Sequence, residues 1–485
     1  LAKLTTLTDD ARIALDTFAG RTTNLFSPSI RIGVTGLSRA GKTVFITSLV
    51  HNIVHGGRLP MFEARKDGRI SRAFLEPQPD DAVPRFQYED HAAALAQLRE
   101  WPESTRHISQ MRLTIEYESA SGWGRLFSAG KLAVDIVDYP GEWLLDLPLL
   151  GKSYSEFSQE TFDLAHLPAR QGLSHEWLEL TASVNPDASA DEMMARKLSE
   201  SFTRYLRACK SDERALSTLP PGRLLMPGDL EGSPALTFAP LPAGTGGSGS
   251  LRAMMERRYE SYKSVVVRPF FRDHIARLDR QIVLVDALQA LNAGVEAVAD
   301  LERSLTEVLA CFRTGGPSFL ADLFLRRIDK ILIAATKADH LHNESHDRLQ
   351  AIVRRITDRA IKRAGFSGAS IEVLAMAAVR ATTEGSVKQG RETLPVIIGT
   401  PMKGETIAGE VFDGHTETAV FPGDLPADIN VLFDKAADGG SQMSDIRFVR
   451  FRPPKLEKTA SGVALSLPHI RLDRALQFLL GDQLA

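Results

Sequence analysis

The chain is poor in cysteine. Cys209 and Cys311 are the only two in 485 residues, and neither has a CxxC neighbour. That argues against a disulfide framework or a cysteine zinc site and points to a reducing compartment. Long apolar runs are missing too: none reaches the ~20 residues that cross a bilayer. The first residues, LAKLTTLTDDARIALDTF, carry charges where a secretory leader needs an apolar run. Nor is there an excess of one charge, since 58 Lys plus Arg face 61 Asp plus Glu, for a net charge of −3. Without a basic field, no nucleic-acid partner is expected. The expectation from these absences is a cytoplasmic protein, still able to dock on a membrane.

What is present is enough to build a sizeable core: 43% of residues are hydrophobic and 25% charged, as in ordinary globular chains. The length suggests several units. Leu4, Leu7, Ala11, Leu15 and Phe18 fall near one helical face, so residues 1–30 read as an N-terminal helix. SIRIGVTG reads as a buried strand, KTVFITSLVHNIVH as a helix, and segments 112–119 and 131–138 as a strand pair joined by the hairpin SGWGRLFSAG. Apolar strands recur at 281–288, 330–339 and SIEVLAMAAV, with a helix over 348–365. Strands alternating with helices predict an α/β fold with a mostly parallel sheet covered on both faces. Residues 31–150 and 281–385 then form a discontinuous core. Residues 151–280 interrupt it as a mostly helical insertion. Residues 386–468, with LPVIIGTPM, GEVFDGHTETAVFPG and DIRFVRFRPP, read as a β-rich insert, and 469–485 as a C-terminal helix packing on the core.

The chemistry concentrates in GLSRAGKT, residues 36–43, which fits the P-loop pattern GxxxxGK[ST]. Chance would produce that pattern in roughly one or two of a hundred such chains. Its backbone N–H groups and the following helix N-terminus suit a phosphate chain. Ser38, Arg39, Ala40, Gly41, Lys42, Thr43 and Val44 are the candidate phosphate contacts, with Lys42 at the β- and γ-phosphates and the Thr43 hydroxyl on Mg²⁺. DIVDYPGEW supplies DxxG, with Asp138 for a Mg²⁺ water and the Gly141 N–H for the γ-phosphate. Thr336-Lys337-Ala338-Asp339 matches [NT]KxD, in which an Asp carboxylate accepts the two N–H donors of guanine. Adenine offers no such pair. Ala377 or Ala378 is placed to donate to the guanine O6. In WPESTRHISQM, Thr105 is the candidate second Mg²⁺ oxygen, with Ser104 and Ser109 as rivals.

P-loop, DxxG, TKAD and small-residue turn follow the chain order of Ras-like GTPases. Together GVTGLSRAGKTVFITSLVHN, WPESTRHISQMRL, DIVDYPGEWLLDLPLL, TKADHL and AAVRAT resemble the YcjX family of bacterial stress-associated P-loop proteins, from residue 32 to about 382. The resemblance implies a GTP/GDP-binding protein with a Ras-like GTPase core, Mg²⁺ and a stress-related role. It also implies a membrane-protein partner and thus a place peripheral to the inner membrane. GLSRAGKT is also similar to the P-loop of guanylate-binding proteins and atlastins, whose arginine acts in cis as an arginine finger. That implies a catalytic Arg39, completed by a nucleotide-dependent homodimer. Glu142, after DxxG, stands where a residue helps place water, but a carboxylate beside a polyanion is a poor fit, so slow hydrolysis is expected. The alternative is an interaction module with negligible hydrolysis. The basic-aromatic run 254–280 reads equally as a partner or lipid surface and as an amphipathic helix with a core face. His51 and His55 lack a third ligand and read as structural.

Overall fold

The computed structural model describes residues 28–36, 39–103, 105–120, 130–312, 328–365, 368–389, 392–407, 409–433, 448–456 and 466–485. The expected N-terminal helix, most of the 121–130 hairpin, Ser38 and Ser104 lie outside the described residues.

Seven strands form one sheet: β1 (Ser29–Gly36), β2 (Ile70–Glu76), β3 (Ser109–Tyr117), β4 (Gly130–Asp138), β5 (Arg280–Val285), β6 (Lys330–Ala335) and β7 (Ser370–Ala375). Their spatial order is β2-β3-β4-β1-β5-β6-β7. β1 pairs in parallel with β4 and β5, and β6 and β7 continue the parallel run. β2 and β3 are antiparallel additions at one edge. β2 has no counterpart in the sequence reading, because ISRAFLE is partly exposed and its alternation is weak.

The central strands bury both faces, which is why they read as continuous apolar runs. Val283, Val285, Ile331 and Ile333 face one core, whereas Ile282, Leu284, Leu332 and Ala334 face the other. The helices used below are α1 (Lys42–Val54), α2 (Tyr154–Ala165), α3 (Pro168–Ala182), α4 (Glu192–Cys209), α5 (Leu251–Tyr262), α6 (Val295–Ala310), α7 (His346–Gly365) and α8 (Leu472–Leu480). α1 and α8 cover the second face; α6, α7 and the helices of 154–273 share the first core. Among the described residues no helix is long and apolar enough to cross a membrane.

The run 254–280 turns its apolar side inward. Met255, Tyr259, Tyr262, Phe270 and Phe271 are buried, and Arg258 reaches Glu192 and the Thr237 carbonyl. This apolar face is therefore core, not a lipid-facing surface.

The helical segments grip the turn that follows β4. Asp146, within the 3₁₀ stretch Gly141–Gly151, accepts hydrogen bonds from Gly222 N (2.7 Å), Arg223 N (3.3 Å) and the Tyr262 hydroxyl (2.6 Å). Gly222 is required here, since a Cβ would meet the Glu142 carbonyl oxygen at 1.8 Å. The Trp143 indole N–H donates to Met226 O at 2.9 Å, and Arg223 covers its ring. Burial pushes the Asp146 carboxyl up to about 7, against the pull of its three donors. A raised folded pKa makes the charged form a cost, absent in acid and complete above about pH 7. Asp146→Asn is therefore expected to be better tolerated at pH 8 than at pH 5, by on the order of 2 kcal/mol. Denaturant unfolding at the two pH values checks this; an equal effect at both would refute it.

Beyond the core, β8 (Thr383–Gln389), β9 (Glu392–Gly399) and β10 (Thr418–Val420) form a small antiparallel sheet. β8 begins inside the span assigned to the core, because Thr383 already pairs with Ile398. DIRFVRFRPP does not form the expected strand over its described part: Phe451 makes one bridge to Pro401, and Pro453 and Pro454 follow. Proline there removes the ladder donors a strand needs.

The C-terminal stretch closes over the core. Asn52 exchanges hydrogen bonds with Leu467 N and O, and Ile470 bridges Ala377. Asp482 receives Arg280 and Lys330, at 2.5 and 2.6 Å.

Candidate nucleotide-binding site

The sheet order reverses around β1, and the loops after β1, β4, β5, β6 and β7 open at one rim. That is where ligands settle in open α/β sheets. The β1 loop is curled by two left-handed residues, Arg39 (φ 62°) and Gly41 (φ 86°). Gly41 caps α1 without a side-chain bond, so the first-turn N–H groups of that helix are left for an anion. Lys42 is buried, with its ammonium on the Gly36 carbonyl at 3.1 Å.

The three expected metal ligands meet. The Thr105 hydroxyl donates to Asp138 Oδ2 at 2.6 Å and lies 3.3 Å from the Thr43 hydroxyl. Asp138 is 2% exposed, and its Oδ1 is buried without a hydrogen-bond partner among the described residues. Burial pushes its carboxyl up to about 6, with the Lys42 charge pulling back. An orphaned carboxylate oxygen beside two hydroxyls is an all-oxygen donor set of the kind Mg²⁺ uses together with phosphates and waters. The residues fit that ion. No cluster of three His, Cys, Asp or Glu that could hold a metal ion occurs among the described residues.

On the other side, the β6 loop places Asp339, 4% exposed, with Oδ2 accepting Ala381 N–H at 2.8 Å. Thr336 N–H bonds Val285 O at 2.9 Å, and Lys337, left-handed at φ 61°, pairs with Asp286. The turn after β7 separates the two candidate donors. Ala377 N–H donates to Ile470 O at 3.1 Å, which leaves Ala378 as the candidate donor of the two.

One cavity of about 240 Å³ is lined by residues 39–44, Thr105, Thr336, Lys337, Asp339, Ala377 and Ala378. Trp101 and Phe451 complete its wall, the Trp101 indole N–H donating to Phe451 O at 2.6 Å. A neighbouring cavity of about 450 Å³ is lined by Lys42, Thr105, Glu142, Lys210 and Asp212. Gly141 is buried and lines neither. Of the three catalytic candidates, Lys42 rests on Gly36 O, and the other two are held by residues just past α4: Arg39 pairs with Asp212, and Glu142 with Lys210 at 2.6 Å. His51 meets the Tyr88 hydroxyl at 3.1 Å and packs against the His55 ring at a tilt of 42°.

The family model of the YcjX-like family, DUF463, matches residues 30–484. The chain belongs to this family. The Ras-like GTPase YcjX of Escherichia coli K12 is 37% identical over 471 residues, 94% of this chain and 96% of that protein. The Ras-like GTPase YcjX of Shewanella oneidensis is 34% identical over 481 residues, 94% of each.

Several residues of this YcjX-like site escaped the sequence reading, Phe451 among them. Asp286 had a signal, an acid ending an apolar strand. Trp101 opens WPESTRHISQM, the stretch already singled out for Thr105. Lys210 and Asp212 had no signal, since nothing local ties them to a rim built by distant strands.

Proposed function

We propose that this YcjX-like chain binds GTP and GDP with Mg²⁺ and hydrolyses GTP slowly to GDP and phosphate. The observation that carries this is the shared cavity: the P-loop and the TKAD Asp339 line one space. The names of the relatives support it. In this reading Lys42 and the first-turn N–H groups of α1 bind the phosphates, and Asp339 and Ala378 read the base. Thr43, Thr105 and Asp138 would hold Mg²⁺, which when bound neutralises charge on the β- and γ-phosphates. Glu142 stands at the phosphate end with Lys210. The turn after β4 is tied to the helical segments through Asp146 and Trp143, which gives the nucleotide state a route to residues 151–280.

The test is binding and phosphate release with Mg²⁺, GTP against ATP. Equal binding of both would sink the guanine reading.

A second reading, an interaction module with negligible hydrolysis, draws on the ion pair that keeps Arg39 on Asp212. The two readings part on Arg39. A charge-assisted hydrogen bond formed at the reacting phosphate stabilises by about 1.5–3 kcal/mol. Arg39→Ala is therefore expected to slow GTP turnover roughly ten- to a hundredfold, and Asp212→Ala to raise it. Single-turnover phosphate release at saturating GTP decides; no change in either variant favours the module.

A further inference from the structure

The 450 Å³ cavity carries a second lysine. Lys42 and Thr105 face it from the phosphate side, Glu142 from the turn after DxxG, and Lys210 from just past the end of α4. Glu142 is 8% exposed, and Lys210 Nζ lies 2.6 Å from its Oε1. This half-buried cation is the partner that neutralises a buried carboxylate. The Lys42 charge also favours the ionised Glu142, but its ammonium bonds Gly36 O, and Arg39 is held by Asp212. Arg106 and Arg207 line the same cavity, and among the described residues Lys210 is the cation paired with Glu142.

The cavity adjoins the P-loop on the side of Thr105 and Asp138, where the terminal phosphate of a triphosphate belongs. A diphosphate ends one charged group short of it. An unpaired Glu142 would therefore repel a triphosphate far more than a diphosphate. Like charges brought together in this way are how a site rejects one ligand of a pair.

We propose that Lys210 sets the preference between guanosine triphosphate and diphosphate, by holding Glu142 in a neutral pair beside the terminal phosphate. It is a positioning residue contributed by the helical segment to the site of the core. The proposal rests on the nucleotide reading above.

The test uses the full chain with Mg²⁺ and measures affinity for GDP and for a slowly hydrolysed GTP analogue by competition. Lys210→Ala is expected to shift the ratio of the two affinities toward GDP by roughly tenfold or more. Glu142→Gln is expected to shift it the other way, because it leaves Lys210 unpaired at the terminal phosphate. Lys210→Arg should hold the native ratio, and Lys210→Ala with Glu142→Gln should return most of it. The ratio cancels losses at the base and first phosphates, which both nucleotides share. Equal weakening of both nucleotides by Lys210→Ala, or no recovery in the double variant, would reduce the pair to a structural tie and overturn the proposal. If Lys210→Ala does not fold, the Glu142→Gln arm decides by itself: an unmoved ratio refutes it. A native chain that binds ATP as well as GTP, or neither, defeats the nucleotide reading instead, so the two failures are told apart.

Discussion

Asp339→Asn is expected to cost this chain its hold on GTP by roughly 10³-fold and to turn its preference to xanthosine nucleotides. Sites built to hydrogen-bond a ligand reject the mismatched analogue by such factors, because buried groups are left unpaired. The local geometry makes the direction of the change definite. Asp339 Oδ2 already accepts the Ala381 N–H at 2.8 Å. An asparagine there must keep its oxygen on that N–H, so its NH₂ takes the place of Oδ1. That NH₂ then faces the exocyclic amine of guanine, donor against donor. Xanthine carries a carbonyl at that carbon, and the clash becomes a hydrogen bond. Direct titration with fluorescent GTP and with fluorescent XTP, for the native chain and the variant, measures both effects. Unchanged selectivity would mean that TKAD is only a turn.

The second large effect lies far from the nucleotide. Arg170 on α3 is 2% exposed and Asp300 on α6 is 4% exposed, with Nη2 and Oδ1 2.7 Å apart. The same guanidinium donates to Thr218 O at 2.8 Å, and Asp300 Oδ2 accepts Ser217 N–H and Thr218 N–H at 2.6 and 2.8 Å. Asp300→Ala removes one charge and strands the other, together with two backbone donors. Breaking a buried pair in this way costs about 3–5 kcal/mol. Replacing both partners with apolar residues will not restore the loss, because the Ser217 and Thr218 N–H groups still lack an acceptor. Guanidinium unfolding, followed by the fluorescence of Trp177 packed beside Tyr205, reports on this region. A midpoint unmoved by Asp300→Ala would show that solvent reaches the pair.

What the sequence made legible follows from how each feature is encoded. The P-loop, DxxG and TKAD each place their chemistry within a few residues of one strand end, so local pattern suffices. The parallel strands were legible because burial on both faces leaves continuous apolar text. Lys210 and Asp212 were not, since their roles come from segments that meet only when the sheet is assembled. Ala377 shows the same limit from the other side: its N–H looked available until Ile470, from the far end of the chain, took it. β2 failed for a different reason, as an edge strand with weak alternation.

The closure of the C-terminal stretch over the core sets a condition on biosynthesis. Chains fold as they emerge, earlier parts first. Here Leu467 completes the hydrogen bonding of Asn52 on the P-loop helix, Ile470 fixes the turn proposed to read the base, and Asp482 neutralises Arg280 and Lys330 at the start of β5 and β6. None of these partners exists until almost all of the preceding chain has been made. A ribosome-bound intermediate therefore carries the P-loop and TKAD residues without the groups that seat them. On the proposed function, acquisition of nucleotide becomes a late event that waits for residues 467–482.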